Sequence, residues 1–178
     1  GGLAYAGIRN RDRVGLVTFS DHVESFLPPR ATRGHAWAVI QKVFEGHGTG
    51  RETDLEGALA FVQWRQRRRA VVVVISDFMD AGPWPRGLSM LCRKHDVHAV
   101  LVHDPLDTGA AGLGLIDVVD PETGRWMLVD GARWAARTSL EERTRSLVTA
   151  GARTLVLGTG DDPFQALHRH FQAQGARK

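Results

Sequence analysis

Four places in the chain carry hard oxygen donors of the kind that do chemistry together: Ser20-Asp21, Thr53-Asp54, Ser76-Asp77 and Asp104. Carboxylates and a threonine hydroxyl suit an octahedral Mg²⁺ that keeps some of its waters. The same residues have a plainer use. Thr53-Asp54-Leu55-Glu56 has the form of a capping box, in which a threonine hydroxyl and a glutamate three residues later satisfy free backbone donors at a helix start. Asp77 can simply open the turn after a strand, and residue types alone favour this plainer use of both. A third use is catalytic: Asp77 and Asp104 as acid, base or metal ligands of a hydrolase or phosphoryl-transfer enzyme.

Other constellations point less far. His95, His98 and His103 are of the right type for zinc. However, His95 closes a helical pattern, where partial positive charge suits the helix dipole. His98 and His103 lie an odd number of strand residues apart and so face opposite sides. Arg65 to Arg69 ends a helix and has no interleaved aromatic residues, which fits a solvated helix end better than a phosphate contact. Gly46 to Gly50 lacks the Gly-Lys-Ser/Thr of a phosphate loop, and neither Ser20 nor Ser76 stands in a Gly-x-Ser-x-Gly elbow. Most of the five scattered tryptophans read as packing residues.

The elements that must position these residues follow from hydrophobic periodicity. Arg13 to Phe19 is a short apolar, β-branched run, and His22 to Leu27 ends on Pro28-Pro29, so the pair reads as a strand with an edge strand beside it. Trp37, Val39, Ile40, Val43 and Phe44 have helical spacing within Gly34 to Phe44, and a second helix runs from the capping box to about Arg67. Ala70 to Ile75 is apolar at every position, the pattern of a central parallel strand covered on both faces. A helix over Trp84 to Lys94 leads to a second parallel-type strand, Val97 to Val102. Ile116 to Val119 and Arg125 to Val129 flank a Pro-Glu-Thr-Gly turn and form a rim hairpin. Ala132 to Ala150 is helical. Thr154 to Leu157 is the last core strand, followed by Asp161-Asp162-Pro163 as the cap and first turn of a helix carrying Phe164, Leu167 and Phe171. Alternation of this kind predicts a three-layer, doubly wound, mostly parallel sheet, and ligands of such sheets bind beyond the carboxyl ends of the strands.

Length and composition set the frame. With 178 residues and 43% hydrophobic content, one domain over 1–178 is expected. Its longest apolar run is far below the roughly 20 residues of a membrane-spanning helix. Net charge is only +3, although 20 of the 23 basic residues are arginine, so no nucleic-acid partner is expected. The single cysteine, Cys92, has no internal partner for a disulfide, which fits a reducing, cytoplasmic setting.

The ordered set of Asp12 to Pro29, Thr53-Asp54-Leu55, Ile75-Ser76-Asp77-Phe78, His95-Asp96-Val97, Asp104-Pro105 and Glu122-Thr123-Gly124 resembles one family. It is similar to the von Willebrand factor A-like domain of the bacterial domain-of-unknown-function 58 family, and the likeness covers nearly the whole chain. The resemblance implies an integrin-I-like fold, a non-enzymatic role in recognition, and a MoxR-type AAA+ ATPase as partner. It implies a metal-ion-dependent adhesion site in which Thr53 supplies the threonine and Asp77 the second aspartate of a Mg²⁺ site. The Asp-x-Ser-x-Ser motif of that site is absent from the sequence. On the family pattern it lies upstream of Gly1, together with the first, central strand and any membrane anchor of the parent protein. Mg²⁺ binding by this stretch alone is therefore expected to be weak or nil.

Overall fold

A computed structural model of the chain describes residues 2–46, 52–104, 114–119, 126–130 and 139–175. It forms two compact units, Gly1–Arg65 and Gln66–Lys178, taken here in turn. The Pro-Glu-Thr-Gly turn, the start of the helix expected from Ala132 and most of the Gly46 to Gly50 loop fall outside the described residues.

The first unit runs α1 (Gly2–Arg9), β1 (Val14–Phe19), β2 (Val23–Arg30), α2 (Arg33–Glu45) and α3 (Leu55–Arg65). β1 and β2 pair antiparallel, with Val17 opposite Phe26 and Thr18 opposite Ser25. The register slips beside Gly15, where a Cβ would stand 2.9 Å from the Leu27 carbonyl and 3.1 Å from the Pro29 ring. Only glycine lets the proline-bearing end of β2 come so close. Thr32 caps α2 by accepting from the His35 N–H, and the His35 ring bonds the Val14 carbonyl at 2.9 Å, tying the helix to the strand. Phe26 of β2 meets Phe61 of α3 edge to face at 5.3 Å, with the Arg65 guanidinium 4.8 Å above the Phe26 ring. The arginine cluster thus opens by covering an aromatic residue. Of the helical-spaced residues expected inside α2, Val39 is buried, whereas Trp37 and Phe44 are exposed and Ala36 takes the second inward position.

The second unit contains β3 (Val71–Ser76), α4 (Trp84–Lys94), β4 (Asp96–His103), the antiparallel hairpin of β5 (Leu115–Val119) and β6 (Trp126–Asp130), α5 (Leu140–Thr149), β7 (Arg153–Gly158) and α6 (Pro163–Gly175). β3, β4 and β7 form a three-stranded parallel sheet in that order. Its centre differs from expectation. The uniformly apolar β3 is an edge strand with Val71 and Ile75 62% and 57% exposed, while β4 is the buried middle, with Val97, Ala99 and Leu101 at 0–3%. A fully apolar strand signals two covered faces but does not say which neighbour covers them.

Two crossovers in one direction, each right-handed by rule, put α4 and α5 on the face of Val97, Ala99 and Leu101. Leu88 and Leu91 of α4 and Leu147 of α5 are wholly buried. α6 lies on the other face, where His98 meets His170 and Phe171. Its start follows the expected pattern: Asp162 accepts from the Phe164 and Gln165 N–H groups, and Pro163 fills the first turn. Residues paired in a parallel ladder share a face, so Val71, Val73 and Ile75 stand on the α6 side beside Asp96, His98 and Val100. α6 packs on β7, and the β3 part of that face is largely open. Among the described residues no helix is long and apolar enough to cross a membrane.

Burial sets the first testable ranking. Leu101→Ala should cost about 3 kcal/mol or more, because a wholly buried leucine leaves a cavity. Ile75→Ala should cost under about 1 kcal/mol. Urea unfolding of the two variants checks this, and equal losses would mean that β3 is covered in solution.

Candidate functional site

Each unit has its own cluster of strand-end oxygen donors. In the first, the chain leaves β1 through Ser20, Asp21 and His22. The buried Ser20 hydroxyl lies 2.8 Å from Glu24 Oε1 and 3.3 Å from Asp21 Oδ1, so it donates among carboxylates at the end of β1. Asp21 bonds His22 Nδ1, and this hydrogen bond holds its carboxyl below the usual aspartate range. The Asp54 N–H donates to the Ser20 carbonyl at 2.7 Å, so the Thr53-Asp54 loop lies beside the end of β1.

The capping box is corrected here by one residue. Asp54, not Thr53, caps α3: its Oδ1 accepts from the Gly57 N–H at 2.8 Å, and its carbonyl takes the first helical bond, from Ala58. Glu56 does not reach back, and its Oε2 is buried without a hydrogen-bond partner among the described residues. Aspartate serves as a cap as well as threonine does. Two adjacent capping residues cannot be ordered by pattern alone. Thr53 is left exposed, its hydroxyl making no hydrogen bond among the described residues.

In the second unit the end of β3 is held on several sides. Asp77 Oδ1 accepts from the Met79 N–H at 3.1 Å, and the Ser76 hydroxyl accepts from the Phe78 N–H at 3.0 Å. The Arg143 guanidinium, reaching from the buried side of α5, donates to the Asp77 carbonyl at 2.7 Å. Phe78 sits at φ 54°, a left-handed conformation that costs a bulky residue about 1–2 kcal/mol. Burial of its ring against Trp84, centroids 5.3 Å apart, offsets the cost. The Trp84 Nε1–H donates to the Asp80 carbonyl and closes the turn.

Asp77 follows the strand whose apolar pattern reads as covered on both faces. It is itself exposed, and its Oδ2 has no hydrogen-bond partner among the described residues. Asp104 is exposed at the end of β4, and Asp161 follows β7 with its Oδ2 accepting from the Gly158 N–H at 2.7 Å. The three acids therefore follow the three parallel strands, at the end where such sheets bind ligands. A groove of about 340 Å³ lined by Pro85, Ser89, Arg145, Ser146 and Thr149 contains none of them.

Thr53 belongs to the first unit and Asp77 to the second. Within the described residues no three histidine, cysteine, aspartate or glutamate side chains converge on one metal position. By type, the Thr53 hydroxyl and the free oxygen of Asp77 fit Mg²⁺; by number, two protein oxygens are few for it. The three histidines considered for zinc, His95, His98 and His103, do not converge on one metal position among the described residues. His95 is buried, receives the Ala70 N–H at 3.3 Å, and is biased by burial toward its neutral form. The charged His95 expected from the helix dipole is therefore disfavoured. His98 pairs with His170, a partner the sequence reading missed because it stands on the last helix. Arg143 was missed for a similar reason: an arginine in an acidic-first helix gives no sign of reaching a strand end.

A family model described as protein of unknown function DUF58 matches residues 2–149. An uncharacterized protein of Mycobacterium tuberculosis and one of Mycobacterium bovis are each 28% identical over 160 residues, covering 85% of this chain and 50% of the relative. An uncharacterized protein of Mycobacterium avium is 32% identical over 116 residues, covering 61% of this chain and 69% of the relative. The chain thus spans about half the length of the first two. No solved structure matches it. With five-sixths of its residues inside the family model and its strand-end motifs in order, the chain belongs to the DUF58 family of proteins of unknown function.

Proposed function

We propose that the chain is the greater part of a von Willebrand factor A-like domain that recognises a protein partner through a divalent cation, the partner being a MoxR-type AAA+ ATPase. The observation that supports this most is the state of Asp77. A turn locked by Arg143, Ser76 and Phe78 presents its carboxylate at the carboxyl end of β3, one oxygen engaged and the other open. The exposed Thr53 hydroxyl, relieved of capping by Asp54, is the second donor. In this reading Thr53 and Asp77 would hold Mg²⁺ together with donors of an Asp-x-Ser-x-Ser segment from outside the present sequence. The ion would supply a Lewis-acid position to a carboxylate of the partner. A further strand from the same segment would pair with the open edge of β3 and complete a doubly wound sheet. The role is recognition in the assembly or regulation of protein complexes, in the cytoplasm, without catalysis of its own.

In the whole protein, Asp77→Asn should abolish Mg²⁺-dependent capture of the purified ATPase, because it removes the charge that attracts the cation. Thr53→Ala should weaken capture less. Capture that resists chelator and survives both substitutions would sink the reading. Stability separates the roles of the neighbours: Asp54→Ala should cost about 1 kcal/mol as a lost cap, whereas Thr53→Ala should stay within about 0.5 kcal/mol. Thermal unfolding of both variants measures this, and a Thr53 loss equal to that of Asp54 would return Thr53 to a capping role.

A further inference from the structure

The end of α6 is fastened to the sheet by two imidazoles. His98 of β4 is 2% exposed, and its Nδ1 lies 2.9 Å from Nε2 of His170 on α6. Phe171 of α6 stacks on the same ring at 4.6 Å. On the far side of His98, Nε2 faces Asp96 Oδ1 at 3.6 Å, and the same carboxylate oxygen is 3.3 Å from Arg153 Nε of β7. On β3 the residue in register with His98 is the uncharged Val73. The other charged groups of this part of α6, His168 and Arg169, bond Gln172 and Gln165 along the helix's own exposed surface. Among the described residues the charged groups facing the pair are therefore one carboxylate and one guanidinium.

This arrangement has room for one proton between the rings. With Asp96 drawing the Nε2–H of His98, its Nδ1 keeps a lone pair and accepts from the Nε2–H of His170. A first added proton can sit on the outer nitrogen of His170 without breaking that bond. A second must go to Nδ1 of His98. It removes the acceptor of the inter-ring bond and sets two cations side by side, with Arg153 as a third positive charge and, among the described residues, Asp96 as the one negative charge facing them. We propose that His98 and His170 form a proton-operated latch that holds the C-terminal half of α6 on the sheet when deprotonated and releases it when both rings are charged.

The electrostatic sign agrees. Burial first, then the neighbouring His170 and Arg153, hold His98 below the ordinary imidazole range against the pull of Asp96; burial and then Arg153 do the same for His170. A group whose docked value is lowered binds more protons once undocked. Docking is thus at full strength above the ordinary value, about 6.5, and weakens as pH falls below it. Release would join the surface beneath α6 to Val71 and Ile75, which share that face, and so enlarge an open apolar strip.

Hydrogen exchange of the full chain, corrected for the intrinsic pH dependence of exchange, tests the latch. Between pH about 7.5 and about 5, protection of the amides around Leu167 to Phe171 should fall at least about tenfold, while Val97 to Leu101 in β4 keep theirs. In His170→Gln the amide still donates to His98 but takes no proton, so α6 should stay protected across the range. Protection of α6 that tracks β4 in the unaltered protein, or falls as far in His170→Gln, overturns the proposal. If His170→Gln leaves α6 unprotected even at the higher pH, Arg153→Gln decides. Removing that charge lets the docked pair accept protons, so the fall should shrink; an unchanged fall overturns the latch.

Discussion

The middle strand of a parallel sheet is buried on both faces, because crossover helices rather than solvent cover it. β4 lives under that constraint. Its inward residues on one face are sealed by α4 and α5, and on its other face α6 covers His98. The rest of the second unit is arranged by this requirement: β3 and β7 take their registers from β4, and the three strand-end acids come out at one end because the three strands run the same way. The buried Arg143 is part of the same economy of contacts. It leaves the sealed side to bond the Asp77 carbonyl, and thereby connects the packing of α5 to the shape of the turn after β3.

The elements legible in the sequence are those whose evidence is local. The β1–β2 pair, the β5–β6 hairpin, the α4–β4 succession and the Asp162-Pro163 start of α6 each follow from period, turn residues or a cap within a few positions. What was not legible depends on distant partners. Ala70 to Ile75 announces a buried strand, yet burial belongs to the neighbours, and in this chain β4 has two ladders where β3 has one. Thr53 and Asp54 compete for one cap, and the winner is chosen by the bond from the Asp54 N–H to Ser20, which fixes where the loop enters the helix. His98 reads as an odd strand histidine until α6 returns to its face, and His170 is too far along the chain for any motif to join them. The strand-end aspartates were found because the topology rule needs only the strands; their exposure needed the turn itself.

Strain and exposure meet at one short stretch. Phe78 in a left-handed conformation, with its ring locked against Trp84, is a costly way to make a turn that any glycine would make freely. The cost is tolerated because the ring is also core, so the turn cannot relax without opening the packing below it. A carboxylate presented from such a turn has its position set in advance of any ligand. Among the described residues that rigidity comes from hydrogen bonds to the turn backbone and from ring packing, without a charged partner on the Asp77 side chain.

The separation in sequence of the paired strands has a consequence for how the chain reaches this structure. β3 and β4 are joined by one helix and can zip together early as a local unit. β7 must find the other edge of β4 after the hairpin and α5 have been made, with Arg153 opposite His98. Long loops of this sort close slowly, since the entropy of closure comes before the contacts that reward it. On a ribosome, α6 emerges after all three strands of this sheet, so the face it covers is made before it. Until α6 docks, the side of β4 that carries a buried histidine would lie bare, so docking of α6 is the closing step of assembly for the face beneath it.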